Sequence, residues 1–302
     1  MTMILVTGAT GNIGRALLGE LHEAGAAPVR GLTRDAGRAS FAGRIEAVEG
    51  FEAVEGFEAV EGDLARADSL KAALEGARSL FLLSGWGAEA EVLAAARQAG
   101  VEHVVLVSSI TVHTHPHLPA AGENLAVERL LQDSGMAWTI LRPTQFASNT
   151  LWWARSIRDE GVVRAPYADV GLPTIHPADI AAVARAALTE PGHQGQTYAL
   201  TGPERITVRQ QVAAIAAASG REVACIEISR EEAHRQMASF MDDETADAVL
   251  DLMGGDVNEE LLKVRDTVPR VTGAAARPFR QWASEHGAAF RWATSVAERT
   301  IT

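Results

Sequence analysis

The sequence predicts an α/β fold: a doubly wound parallel sheet with a smaller, mostly helical C-terminal region. Three observations carry this. Glycines 8, 11 and 14 sit between an apolar strand and a helix at the start of the chain. Continuous apolar runs then alternate with helical stretches over the first half, which implies parallel strands covered on both faces. After about residue 150 the pattern turns alanine-rich and helical, with few strands.

In chain order, Met3 to Thr7 reads as a buried strand and Ile13 to Ala24 as a helix. Between them Gly8 allows a tight turn, Gly11 lets backbone approach a phosphate, and Gly14 lets the helix pack on the strand. The open N–H groups and positive dipole end of that helix make a seat for a pyrophosphate. A second strand runs from Pro28 to Thr33, followed by a polar segment from Arg34 to Gly43. Residues 45–62 repeat one hexapeptide three times (Ile/Phe-Glu-Ala-Val-Glu-Gly), where the sheet needs a single strand. The last copy, 57–62, is assigned to it because it leads into Asp63-Leu64. Register among near-identical copies is weakly specified, and the other copies read as a tolerated duplication or a partner-binding edge.

Further strands are read at Arg78 to Ser84, Val101 to Ser109 and Trp138 to Arg142, with helices at Glu89 to Ala99 and Glu123 to Asp133. Gly100 and Gly135 stop those helices and Pro143 ends the strand. Beyond lie a helix at Phe146 to Arg158, a helix at Asp179 to Leu188 capped by Asp179, and a strand at Thr197 to Leu200. A helix at Thr207 to Ala218, a strand at Val223 to Ile228 and a mainly helical remainder follow, with loops around Gly254-Gly255 and Val268 to Pro278. The domains are expected at 1–150, binding the dinucleotide, and 151–302, binding the substrate over the mouth of the sheet. The second is interleaved with the first through roughly 178–201.

The chain has 302 residues, 47% hydrophobic and 22% charged, ordinary for a soluble protein. A net charge of −12 argues against nucleic acid as a partner. No apolar run reaches membrane-spanning length and the first residues enter a strand directly, so the expected location is cytoplasmic. The single cysteine, Cys225, lies in an apolar run and reads as a buried, reduced thiol. Whether the chain forms a homodimer stays open.

Cofactor choice follows from the end of the second strand. An acidic residue there would hold the ribose hydroxyls of NAD and repel a 2′-phosphate. This strand ends in Leu32-Thr33 and Arg34 follows. A guanidinium takes a phosphate bidentately and Thr33 adds a hydroxyl, so NADP(H) is expected over NAD(H). Asp35 would weaken this if it turned inward.

The motifs Thr7-Gly8-Ala9-Thr10-Gly11-Asn12-Ile13-Gly14, Gly62-Asp63-Leu64, Val107-Ser108-Ser109 and Leu141-Arg142-Pro143 resemble the atypical short-chain dehydrogenase/reductases. They are most similar to the NmrA-like branch, which includes NAD(P)H-dependent quinone and azo reductases. The later segments His176-Pro177-Ala178-Asp179-Ile180-Ala181, Leu200-Thr201-Gly202-Pro203-Glu204 and Phe279-Arg280-Gln281-Trp282-Ala283 fit as well. The triplicated hexapeptide departs from the family. The resemblance implies a Rossmann sheet with Gly8, Thr10, Gly11, Asn12, Ile13 and Gly14 around the pyrophosphate. It implies Asp63 and Leu64 at the adenine and Leu83, Ser84 and Gly85 at the ribose, with Ser108 and Pro143 beside the nicotinamide. Gln145, Phe146, Asn149, Trp152, Trp153 and His176 are assigned to a small aromatic or quinone-like substrate.

The wider superfamily reduces carbonyls with a Tyr-x-x-x-Lys pair. Counting excludes it here: the only tyrosines are Tyr167 and Tyr198, and four residues on stand Gly171 and Gly202. By the family pattern the two positions fall near Ala120 and Asn124, while Ser109 is retained. Either another group supplies a proton or the reaction needs no dedicated acid, as in quinone reduction. His113, His115 and His117 alternate in what reads as an irregular loop around Pro116 and Pro119; extended, they would share one face. No Cys or carboxylate cluster accompanies them and no metal is assigned. His113 is the candidate substitute acid, with Ser109. His176 either lines the pocket or makes a structural hydrogen bond. The expected function is an NADPH-dependent oxidoreductase passing hydride to a quinone or aromatic carbonyl. The alternatives are an NADP(H)-sensing regulator without turnover and a tailoring ketoreductase for a polycyclic aromatic metabolite.

Overall fold

The computed structural model describes residues 3–26, 28–35 and 58–291. In the interior of its main sheet is β1 (Met3–Val6), whose Ile4, Leu5 and Val6 are buried. The turn after it feeds α1 (Asn12–Glu23), and β2 (Val29–Thr33) returns parallel beside β1. Next come β3 (Glu58–Glu61), α2 (Lys71–Leu74), β4 (Ala77–Leu83), α3 (Glu89–Gln98) and β5 (His103–Val107). A short turn of helix, α4 (Thr111–Thr114), leads to α5 (Pro119–Gln132) and β6 (Ala137–Pro143).

The last hexapeptide copy is the one in the sheet. Glu58 stands opposite Arg30 of β2 in the register, and their side chains pair at 2.9 Å. Arg30 also donates to the carbonyls of Ala73 and Glu75 at the end of α2, so one largely buried guanidinium ties strand, neighbour and helix together. The earlier copies lie outside the described residues.

The remaining elements are α6 (Ala154–Glu160), β7 (Val162–Ala165), α7 (Pro177–Thr189), β8 (Gln196–Leu200), α8 (Val208–Ser219) and β9 (Ala224–Glu227). After these come α9 (Arg230–Met237), α10 (Asp243–Leu250), α11 (Glu259–Leu262), α12 (Thr267–Thr272) and α13 (Phe279–His286). The seven strands of the main sheet run in the order β3-β2-β1-β4-β5-β6-β8, each pair parallel. Strand order reverses between β1 and β4, and ligands of such sheets bind at the carboxyl ends beside that reversal.

Side chains alternate across the sheet. Ile4, Val6, Phe81, Val105 and Leu141 face α1 and α7, where Leu17, Leu18, Leu21 and Ile180 meet them. Leu5, Leu80, Leu82, Val104 and Ile140 face the other way, onto Leu70, Leu93 and Leu131 of the turn before α2, α3 and α5. Burial on both faces explains why these strands are apolar throughout.

By contact density the chain divides into two units. The first holds 1–148, 172–205 and 258–278; the second holds 149–171, 206–257 and 279–302. Within the second, β7 and β9 form a separate two-stranded parallel sheet, and β7 is a strand the sequence pattern did not indicate. Trp282 and Phe290 are fully buried in that unit.

Several expectations are corrected. The stretch 146–158 is not one helix: residues 147–153 form 3₁₀ turns, and α6 starts only at Ala154. Helix α5 begins at Pro119, whose missing N–H costs nothing at a first helical position. Gly254-Gly255 closes a π-helical turn, and Thr267–Thr272 is helical, not loop. Cys225 is half-buried, not buried; the partial burial still pushes its thiol pKa up.

Asp179 does not cap α7. The cap is His176, whose Nδ1 accepts from the Ala178 N–H at 3.0 Å. Asp179, its side chain 1% exposed, instead accepts from the Arg277 N–H and Nη1, both at 2.7 Å. Arg277 reaches Glu20 of α1 as well, at 3.3 Å. Removing one partner of a buried pair leaves the other uncompensated. Asp179→Ala is expected to lower stability by about 3 kcal/mol in denaturant unfolding, far more than Glu20→Ala.

Candidate functional site

The first part of the site is the glycine turn. Gly8 has φ +60°, and the Gly11 N–H donates to its carbonyl at 2.8 Å. A Cβ on Gly14 would meet the Gly8 carbonyl oxygen at 2.2 Å, and one on Gly8 would meet Leu83 Cδ1 at 2.4 Å. No side chain caps the first turn of α1. The helix start and the Thr10–Asn12 backbone are therefore held open at the carboxyl end of β1, in the geometry a pyrophosphate needs.

Beside the turn is a cavity of about 220 Å³. It is lined by Gly8, Thr10 and Gly11, by Leu32, Thr33 and Arg34 after β2, by Gly62, Asp63 and Leu64 after β3, and by Leu83 and Trp86 after β4. Ten of these residues come from four segments already singled out in the sequence; Trp86 does not. Asp35 is exposed and is not in the lining. The Thr33 hydroxyl accepts from the Asp35 N–H at 3.3 Å, which turns the chain after β2. Asp63 is fixed by two bonds: its N–H donates to Ser69 Oγ at 2.9 Å and its Oδ1 accepts from the Ala65 N–H at 3.1 Å.

At the ends of β4, β5 and β6 the expected residues also meet. Ser84 Oγ lies 2.8 Å from the Val107 carbonyl and 2.9 Å from Asn124 Oδ1, and Asn124 Nδ2 donates to the Ala120 carbonyl. Both positions that would carry the Tyr/Lys pair thus lie on α5, and the amide at one of them is tied into the β4 loop. Ser109 Oγ accepts from the Thr111 hydroxyl at 2.8 Å.

A buried network here escaped the sequence reading. Ser108 Oγ donates to Glu128 Oε1 at 2.6 Å, and Arg142 grips the same carboxylate through Nε at 2.9 Å and Nη2 at 2.5 Å. Glu128 is 1% exposed. The signal was an arginine within an otherwise apolar strand, which demands a carboxylate. One residue past Pro143, the Thr144 hydroxyl is buried without a hydrogen-bond partner, although its N–H bonds to the Leu200 carbonyl.

The three histidines do not share one face: the His115 and His117 rings meet at 5.8 Å, and His113 points elsewhere. Helix α4 turns the chain, leaving His113 exposed with Nε2 3.5 Å from Glu260 Oε2, while His115 is buried against the Thr114 hydroxyl. Gln145, Phe146 and His176 are drawn together where residues 145–147 pair with Ile175.

In the second unit Asn149 is exposed, and Trp152 and Trp153 line one cavity of about 390 Å³ with Met237, Phe240 and Met253. Trp152 and Phe240 are about two-thirds exposed, at 67% and 68%. No helix among the described residues is long and apolar enough to cross a membrane.

Residues 8–191 match the model of an NAD(P)H-binding family. The chain is 39% identical to the (4-alkanoyl-5-oxo-2,5-dihydrofuran-3-yl)methyl phosphate reductase of Streptomyces griseus subsp. griseus, over 95% of this chain and 99% of that one. It is 36% identical to the NAD(P)H azoreductase of Xenophilus azovorans, again over 95% and 99%. The Escherichia coli NADPH-dependent quinone oxidoreductase, solved with NADPH, superposes with a TM-score of 0.75 at 26% identity, covering 94% of this chain and 99% of that one. The chain belongs to the NAD(P)H-binding family of atypical, NmrA-like short-chain dehydrogenase/reductases.

The tight Gly14 contact yields a direct test. Gly14→Ala forces a methyl group into the Gly8 carbonyl, so α1 must move off the turn. NADPH affinity, measured by calorimetry, is expected to fall at least about ten-fold, because displacing the helix start removes the N–H groups that face a phosphate. Gly19→Ala, on the same helix with open space around it, is expected to leave affinity unchanged.

Proposed function

We propose that the chain is an NADPH-dependent reductase that passes hydride to a quinone or an aromatic carbonyl, the quinone being the acceptor that stores the incoming charge in its own π-system. The observation that carries this is the pair of residues on α5 where a proton donor and its lysine would stand. Ala120 has no polar group, and the Asn124 amide is engaged with Ser84 and the Ala120 carbonyl. An acceptor whose reduced form is a stabilised anion takes its proton from water, so the protein's task reduces to orientation.

When bound, the cofactor supplies the hydride. The residues assigned to hold it are Gly8, Thr10, Gly11, Asn12, Ile13 and Gly14 at the pyrophosphate, with Asp63 and Leu64 at the adenine. Leu83, Ser84 and Gly85 are assigned to the ribose, and Ser108 and Pro143 to the nicotinamide. The open glycine turn and the unpaired Thr144 hydroxyl at the end of β6 support a dinucleotide lying along the carboxyl edge of the sheet. Glu128 and Arg142 act beneath it: by engaging Ser108, they fix the ends of β5 and β6 relative to α5.

NADP(H) is assigned over NAD(H) on Arg34 and Thr33, which line the cavity while Asp35 does not. The names of the relatives support the acceptor class, since a quinone, an azo compound and an alkanoyl-substituted oxo-dihydrofuran are all unsaturated electron acceptors. Gln145, Phe146, Asn149, Trp152, Trp153 and His176 are assigned to the acceptor, and the aromatic cavity of the second unit supports a flat apolar ligand for the tryptophans. The location assigned is cytoplasmic.

NADPH oxidation across a panel of quinones, aromatic ketones and azo dyes, without added flavin, tests the reading. Turnover is expected with quinones, and His113→Ala is expected to retain it. Loss of activity in His113→Ala would point instead to a ketoreductase with His113 or Ser109 as proton donor. Tight cofactor binding without turnover of any acceptor would identify a sensor. Arg34→Ala is expected to cost about 2 kcal/mol in NADPH binding, the worth of a charge-assisted contact; NADH binding should change less than about two-fold. Equal losses would remove Arg34 from the 2′-phosphate.

A further inference from the structure

The loop after β4 has a shape that neither the glycine turn nor the Tyr/Lys comparison explains. Trp86 stands at its tip, 42% exposed, and lines the 220 Å³ cavity opposite Leu64 and Leu32. An indole on the wall of a cavity offers a flat apolar face to a ligand. The guanidinium carbon of Arg34 lies 5.9 Å from the centre of the indole, within cation–π range. The loop is fixed, not left to solvent. The Gly85 and Trp86 N–H groups both donate to Glu89 Oε1, at 2.6 and 2.7 Å. Glu89 is itself 8% exposed at the start of α3, where its charge meets the positive end of the helix. A buried carboxylate spent on two backbone N–H groups of a glycine-flanked loop holds the position of one side chain, the indole between Gly85 and Gly87.

We infer that Trp86 is a cofactor-recognition residue, seated by Glu89, whose indole stacks on the adenine and steers the Arg34 guanidinium toward the 2′-phosphate. This rests on the NADP(H) reading above. The two residues divide the work. Stacking on a base is indifferent to the 2′ substituent, so Trp86 serves both dinucleotides. The guanidinium recognises the phosphate alone. Their mutual contact couples the two, because an Arg34 deprived of its indole face loses its preferred orientation. Glu89 acts through Trp86 and is a positioning residue.

The full-length protein tests this by calorimetry with NADPH, NADH and the fragments 2′,5′-ADP and 5′-AMP, alongside tryptophan fluorescence. Trp86→Ala is expected to weaken NADH by about ten-fold, the lower part of the range for base stacking, and NADPH by more than that, because Arg34 also loses its indole face. Arg34→Ala weakens only NADPH and 2′,5′-ADP. Trp86→Phe keeps a stacking surface and recovers most of the affinity. In the wild type 2′,5′-ADP, which carries no nicotinamide, quenches part of the tryptophan emission; in Trp86→Phe it binds without quenching. Glu89→Gln is expected to show a weakened version of the Trp86→Ala pattern.

Unchanged affinity for both dinucleotides in Trp86→Ala, or quenching that persists in Trp86→Phe, overturns the proposal while leaving the cofactor reading intact if Arg34→Ala still discriminates. If the wild type binds neither dinucleotide, the cofactor reading fails with it. Should Trp86→Ala lose its native circular dichroism, the comparison of fluorescence and calorimetry in Trp86→Phe decides alone.

Discussion

The constraint on which the site depends is the approach of α1 to the turn that precedes it. Gly14 packs on the Gly8 carbonyl with no room for a single carbon between them. That contact brings the helix start to the end of β1, and the rest of the site is measured from there. Leu83, at the end of the adjacent strand, closes on Gly8 from the other side. Its N–H donates to Thr7 Oγ1 at 3.2 Å, so β1 and β4 stay locked together where the sheet reverses its order. A ligand seat at a reversal point depends on two strands whose loops diverge; here one hydroxyl and one glycine pair keep the divergence fixed.

The carboxyl edge is supported from below by charge. Glu128, Arg142 and Ser108 form a hydrogen-bonded group that is nearly sealed from water. Such groups contribute little net stability, because desolvation offsets attraction, but they define geometry sharply once every polar atom is satisfied. Asn124 does comparable service one turn earlier on α5, holding Ser84. Through Asn124 and Glu128, α5 clamps the loops after β4 and β5.

The chain carries a net charge of −12, so an anionic ligand must be drawn by a local group. Arg34 lines the cavity, its guanidinium carbon 5.9 Å from the centre of the Trp86 ring. A guanidinium packed on an aromatic face keeps its N–H edge available for a phosphate, whereas a salt bridge would consume it.

The sequence by itself determined the sheet, the glycine turn and the Thr33-Arg34 end of β2. Each of those is local: a period, a glycine spacing or a residue at a strand end. It also selected the correct hexapeptide copy, because only that copy runs into Asp63-Leu64. It misjudged the ends of α5, the 147–153 turns and the role of Asp179, where capping and strand-end geometry depend on neighbours distant in sequence. Only the tertiary structure decided that His176 caps α7 while Asp179 holds Arg277 across 98 positions. It alone joined Ser108, Glu128 and Arg142, and it alone set Trp86 against Arg34. These are pairings between side chains on different strands and helices. Their partners are fixed by how the layers stack, and no periodicity along the chain encodes that.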